Sequence, residues 1–370
     1  MRDRLKTCRR IVIKVGTSIL TSRKGRFTPR SVTRLVAEVS SLWRHQKEVV
    51  LVSSGAIALG MEVGKLRRRP RKMDQLQACA AMGQGKLMHA YEQSFSRRGM
   101  HSAQLLLTRD GLEQRNRYLC VRQTLSALLE MKVVPIINEN DTVATEEIAF
   151  GDNDILSVYV ADLVHADLLV ILSDVDGFHL RDGSRIRRVD SAEEIDKELV
   201  RHIRDSKTHT TVGGMKAKLE AARIAMRLAV PLLIVNGHRE GIIQQALAGE
   251  DVGTLFLPGT AHKSARKKWI AFSAPRRGRV VVDDGAYEAL SRRKSSLLPR
   301  GIVEVHGNFE KGHVVELSMT DGSVFGRGVA QFSSRDLVSL VGKKTAEIHE
   351  ILGYKAQDEA IHRNNLVLWR

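Results

Sequence analysis

Between residue 10 and about residue 250, short β-branched apolar runs alternate with longer stretches of helical period. That alternation restricts the fold more than any other feature of the chain. RIVIKVG (10–16), VVLVS (49–53), QLLL (104–107), VVPII (133–137), DLLVILSD (167–174) and PLLIVNG (231–237) read as strands. One helix follows Thr28 and Pro29 and carries Val32, Leu35, Val36, Val39, Leu42 and Trp43 on one face. Further helices are expected from about Asp74 to Ser96, over roughly 112–130, after Asp154 and after Gly214. Strands joined through helices of ~10 residues or more pair in parallel through right-handed crossovers. The spacing therefore predicts an α/β fold, a doubly wound and mostly parallel sheet, over residues 1–257.

After residue 257 the texture changes. A basic linker (258–277) leads to GRVVVD, GIVEVHG, HVVELSM and SVFGRGVAQF, short strands separated by turns. They predict a small β-barrel over residues 278–354, followed by a polar tail at 355–370. With 370 residues and 43% hydrophobic content, the chain is large enough for two cores. Cys8, Cys79 and Cys120 are scattered without a CxxC pair, which argues against a disulfide framework or a zinc site and fits a reducing compartment. MRDRLKTCRR runs directly into IVIKVG, and no stretch approaches the ~20 apolar residues of a membrane span. A soluble cytoplasmic protein is expected. The formal charge is +17, concentrated in KLRRRPRK (65–72), KSARKKW (263–269) and PRRGR (275–279). Aromatic content is only 5% and the basic runs carry no interleaved aromatics, so a solvated basic surface is favoured over a nucleic-acid footprint.

Chemistry-bearing residues gather where predicted strands end. NENDTVATEEIAFGDND (138–154) leaves the VVPII strand dense in Asn, Asp and Glu. Asp141, Asp152 and Asp154 need a positive partner if they come close together, such as an amine, a lysine or a metal. Lys14, in VIKVGTS, stands within reach of a polyphosphate, and Gly16 lets backbone come near. The same lysine would also be at home at a strand end with its ammonium in water. In VGGMKAKLEAARIA (212–225), paired glycines open a helix whose free N–H groups suit an anion, and Lys218 lies one turn in. SSGAI (53–57) presents Ser53, Ser54 and backbone N–H groups to a carboxylate, although a plain helix cap explains it equally well. Ser173 and Asp174, in LSDVDGF, either touch a nucleotide or cap a turn. No Walker A motif and no GxSxG elbow occurs. Two lysines with glycine-borne N–H groups on one side, and an acidic loop on the other, point to phosphoryl transfer onto a small amine-bearing carboxylate.

In this order, VIKVGTS, SSGAI, INENDTVAT, GDND and GGMKAK resemble the signatures of the amino acid kinase family. SSLLPRGI and GNFEKG resemble the PUA domain, a barrel best known from RNA-modifying enzymes. The resemblance implies an amino acid kinase fold followed by a PUA-like barrel, with ATP and Mg²⁺ as cofactors. It implies L-glutamate as acceptor, γ-glutamyl phosphate as product, and a place at the head of proline synthesis. Proline as feedback inhibitor, a glutamyl phosphate reductase as recipient, RNA contact through the barrel and a homo-oligomer are further implications. By position, Lys14 and Lys218 would hold ATP phosphates and Asp154 would organise them. Ser54, Asp141, Asp152 and Asn153 would bind the amino acid. Ser173, Asp174 and the loop Val212, Gly213, Gly214, Met215, Lys216, Ala217 and Lys218 would border the nucleotide. Two positions depart from the family pattern: Val212 stands where Thr is usual, and Lys216 adds a charge. Losing that hydroxyl should weaken nucleotide contact by about 1 kcal/mol. Two other readings stay open, an RNA-binding protein with a degenerate kinase domain, and a kinase of this fold acting on aspartate, acetylglutamate or a nucleoside monophosphate.

Overall fold

The computed structural model describes residues 2–22, 25–108, 111–112, 114–143, 153–180, 182–191, 195, 212–258, 276–293, 295–354 and 357–368. The chain divides into two compact units, residues 1–261 apart from 112–115, and residues 262–370 together with 112–115.

Among the described residues, the first unit is built on eight strands. They are β1 (Arg10–Val15), β2 (Glu48–Ser53), β3 (His101–Leu107), β4 (Val133–Glu139), β5 (Leu168–Ser173), β6 (Arg188–Val189), β7 (Leu232–Asn236) and β8 (Thr254–Phe256). They lie in the order β3-β4-β2-β1-β5-β7-β8-β6. Every neighbouring pair is parallel except β7 with β8. Ile11, Val12, Ile13 and Val15 are all buried, as expected for a central strand covered on both faces. The six predicted strands are all present. β6 and β8 were not anticipated, because two or three residues carry no periodic signal.

Helices α1 (Thr17–Leu20), α2 (Pro29–Arg44), α3 (Ala56–Val63), α4 (Met73–Ser96), α5 (Arg115–Glu130), α6 (Asn153–Leu163) and α7 (Val212–Arg227) connect the strands. In α2 the predicted apolar stripe is buried at Val32, Leu35, Val36, Val39 and Leu42, while Trp43 packs against the same core from a partly buried position. Thr28 occupies the cap position, but its side chain makes no cap bond. Two glycines fix how α3 meets α4. A Cβ at Gly60 would fall 1.7 Å from the Cys79 carbonyl oxygen, and one at Gly83 would fall 1.8 Å from that of Ala56. Backbone lies against backbone there, and no larger residue fits. Among the described residues, no helix is long and apolar enough to cross a membrane.

The second unit holds β9 (Arg276–Val282), β10 (Ile302–Gly307), β11 (Val314–Met319), β12 (Val324–Val329) and β13 (Leu366–Leu368), in the order β10-β9-β11-β12-β13. β9 and β11 are parallel and the other pairs antiparallel. The expected polar tail is thus not separate from this unit. Leu366–Leu368 pairs with Gly326–Gly328, and Ala360 and Ile361 are buried in the core. The glycines of FGRG have a use in this pairing. A Cβ at Gly326 would meet Leu368 at 2.7 Å, and one at Gly328 would meet Ile361 at 2.5 Å.

Candidate active site

In sheet order, β4, β2, β1 and β5 are neighbours, and each carries or leads into a stretch singled out in the sequence at its carboxyl end. β2 lies on one side of β1 and β5 on the other, so the chain winds away from β1 in both directions. The carboxyl edge beside such a switch point is where open α/β sheets hold ligands.

Lys14 projects from β1 and is only 6% exposed; its Nζ lies 2.6 Å from Asp154 Oδ1. Asp154 is in the first turn of α6 and 3% exposed. Its other oxygen, Oδ2, lies 3.5 Å from Lys218 Nζ, which also donates to the Gly214 carbonyl at 3.4 Å. Three residues from distant parts of the chain form one ion cluster with a single surplus positive charge. The Lys14 contact is a short, enclosed, charge-assisted pair. Burial opposes the negative charge of Asp154, but Lys14 and Lys218 outweigh it and hold the carboxyl below its ordinary value. Asp154 therefore stays ionised and serves to orient two ammonium groups.

Beside this cluster lies a neutral network. Asn153, adjacent to Asp154, shares its Nδ2 among the Ser53 carbonyl at 3.0 Å, Ser54 Oγ at 2.9 Å and Asn138 Oδ1 at 3.0 Å. Asn138, on β4, donates in turn to Gln84 Oε1 of α4 at 2.8 Å. Asn153 Oδ1 and Gln84 Nε2 are enclosed without partners among the described residues. They leave one acceptor and one donor for a polar ligand. Ser53 was expected to face outward, but it is fully buried and meets the Tyr91 hydroxyl at 2.9 Å. Only Ser54 is left to offer a hydroxyl. Gly55, at φ 105, makes the turn into α3 that sets this geometry and that side chains rarely adopt.

Asp141 follows β4 in a short 3-10 turn. Burial pushes its carboxyl up to about 6, with Arg69 acting in the opposite direction. Asp152 lies outside the described residues. At the end of β5, Ser173 Oγ donates to Asp174 Oδ1 at 3.0 Å. The stretch Val212–Lys218, expected as a glycine loop opening into a helix with Lys218 one turn in, is helical from Val212 onward and forms the first two turns of α7. Gly214 and Lys216 are exposed there, and Met215 and Ala217 are half-buried. The comparison of Val212 with threonine concerns a side chain outside the described set. Sequence reasoning missed Asn138, Gln84 and Tyr91. Asn138 was visible inside NEND, whereas Gln84 reads as a surface polar residue of an amphipathic helix and Tyr91 as core.

The profile of the amino acid kinase family matches residues 9–236, and that of the PUA domain matches residues 278–352. A glutamate 5-kinase of Pelobacter propionicus is 43% identical over 99% of both chains. One from Geobacter metallireducens is 46% identical over 98% of both. Carbamate kinase of Giardia, at 16% identity, superposes with a TM-score of 0.50 over 68% of this chain and 99% of its own, which supports the fold alone. The edge of the sheet, the cluster on Asp154 and relatives matching from end to end lead to one assignment: the chain belongs to the amino acid kinase family, and its full-length relatives are glutamate 5-kinases.

Proposed function

We propose that the protein transfers the γ-phosphoryl group of ATP to the side-chain carboxylate of L-glutamate, giving L-glutamyl 5-phosphate and ADP, the first step of proline synthesis. One carboxylate oxygen forms a bond to the γ-phosphorus while the bond from that phosphorus to the β-phosphate oxygen breaks. The acceptor is already ionised at neutral pH, with a pKa near ~4, so the step needs no general base. Its difficulty is bringing two anions together. Lys14 and Lys218 offset that repulsion across the line of transfer, and enclosure strengthens their effect. The observation that carries this reading is the meeting of both lysines on Asp154.

Ser54, Asn153 and Asp141, with Asp152, hold glutamate, and Asp141 faces its ammonium. Ser173, Asp174 and Val212–Lys218 border ATP. Among the described residues no cluster of three metal-ligating side chains exists, and the Asp154 carboxylate is engaged by two lysines. With Asp154 engaged by two lysines, Mg²⁺ would enter with the ATP phosphates and neutralise their charge there. RNA contact through the second unit, inhibition by proline, delivery of the product to a reductase and a cytoplasmic setting belong to the same reading.

The test is a trapping assay with ATP, Mg²⁺, hydroxylamine and a panel of acceptors. Glutamate should give the γ-hydroxamate. ATP turnover indifferent to glutamate, or a preference for aspartate, overturns the assignment.

A further inference from the structure

A cavity of about 520 Å³ opens at the other end of the first unit's sheet. Its walls come from the end of α2 (Trp43, Arg44), the turn after α4 (Arg98, Met100) and the turn before β4 (Met131, Lys132). His101, the first residue of β3, also lines it. These are the amino ends of β3 and β4, whereas the cluster on Asp154 stands at the carboxyl ends. The phosphoryl-transfer site makes no use of this cavity.

Its chemistry divides cleanly. Trp43, Met100 and Met131 supply apolar surface, and Met131 is 70% exposed. Arg44, Arg98 and Lys132 supply three positive charges, and none has a carboxylate within salt-bridge distance among the described residues. Among the described residues, no acidic side chain lines the walls. Elsewhere in the same unit, a comparable gathering of cations is neutralised: Arg2, Arg185 and Arg187 all close on Asp251, at 3.1, 3.2 and 3.1 Å. Like charges left facing one concavity without a counter-ion attract an anion, and the low-dielectric floor focuses their field. The volume falls within the range of small-molecule sites, which combine apolar walls with a few placed polar groups.

We infer that this cavity binds a small organic anion with an apolar or aromatic body, its charged end held by Arg44, Arg98 and Lys132 and its body lying on Trp43, Met100 and Met131. Three charges of the unexplained +17 excess thereby acquire a purpose.

The probe is 1-anilinonaphthalene-8-sulfonate, an aromatic anion, compared with the neutral N-phenyl-1-naphthylamine. Both are titrated against the intact protein and the double variant Arg98→Glu, Lys132→Asn. Asn is chosen because Lys132 sits at φ 58, a region Asn tolerates. The sulfonate should bind saturably and tighter than the neutral dye, and lose at least ~10-fold in affinity in the variant, as expected for removing charge-assisted contacts. Kinase turnover should be unchanged, which separates loss of this site from loss of folding. Energy transfer from Trp43 to the bound dye should fall sharply in Trp43→Phe. Three results overturn the proposal: no saturable sulfonate binding, sulfonate affinity indifferent to the double variant, or equal affinity for the neutral dye. The last would mark a plain apolar surface or a contact face for another protein.

Discussion

The ion cluster of Lys14, Asp154 and Lys218 and the amide network of Asn138, Asn153, Ser54 and Gln84 are joined by one peptide bond, between Asn153 and Asp154. They work by different physics. The cluster acts through charge, which reaches several ångströms, tolerates small displacements and does not distinguish one anion from another. The network acts through hydrogen bonds, which require placement within a few tenths of an ångström and penalise a ligand that leaves a buried group unpaired. Transfer chemistry should therefore depend on the first and choice of amino acid on the second. α6 holds the two in register, since its first two residues belong one to each.

The strongest way to break this division is Lys14→Ala. Removing one ammonium proposed to face the transferred phosphoryl group should lower kcat by about 10²–10³-fold, with the glutamate KM changed only a few-fold, read in the hydroxamate assay. It also leaves the Asp154 carboxylate short of a buried partner, so denaturant unfolding should show a loss of about 3–5 kcal/mol. Assay temperature must be kept low for that reason. Asn153→Ala is the converse. It severs three contacts at 2.9–3.0 Å and should raise the glutamate KM by roughly 10–100-fold while kcat falls far less than in Lys14→Ala. Should the two variants lose kcat equally, charge and amide groups act as one unit and the division fails.

The two halves of this site were not equally legible in the sequence. Lys14, Asp154 and Lys218 could be brought together on paper, because strand ends in a parallel sheet share an edge and buried charges need partners. The long elements were legible for a similar reason, since a periodic pattern repeated over several turns survives local noise. The amide network was not. Gln84 sits among Gly83, Gly85 and Lys86 on a helix face that looks solvent-exposed, and only the docking of α3 through Gly60 and Gly83 turns that face toward Asn138. Nothing local distinguishes Tyr91 from an ordinary core aromatic. β6, β8 and β13 escaped because strands of two or three residues are defined by their neighbours rather than by their own composition. Leu366–Leu368 looks like the end of a polar tail until Gly326 and Gly328 are seen to make room for it.

Acid sharpens the comparison by a smaller amount. Asp154 is held low by two lysines, so its stabilising contribution is present above the unfolded carboxylate value of ~4 and lost only as pH falls through its lower native value. Asp141 behaves oppositely. Burial raises its native value to about 6, so its contribution to stability is full below the unfolded value and is lost as pH rises through 6. Its attraction for a substrate ammonium follows the ionised form and disappears as pH falls below the same point. The glutamate KM should thus climb by about tenfold per pH unit below 6, at nearly constant kcat, and Asp141→Asn should flatten that slope. A parallel fall in kcat over that range would place the titration in the ion cluster instead.

The smallest expected effect tests whether the network depends on what lies behind it. The Tyr91 hydroxyl is enclosed and, among the described residues, hydrogen-bonds to Ser53 Oγ alone, which keeps a second bond to the Ser54 carbonyl at 3.2 Å. Tyr91→Phe removes the hydroxyl with little change of shape, and Ser53 is not left without a partner. Unfolding free energy should fall by about 1 kcal/mol, the ordinary net worth of one hydrogen bond. The Ser53 carbonyl accepts from Asn153, so any slack at the end of β2 passes directly to the residue proposed to position glutamate. The glutamate KM should accordingly rise by a few-fold, with kcat unmoved. An effect on kcat larger than that on KM would mean that Tyr91 supports β1 and Lys14 more than it supports the amide network.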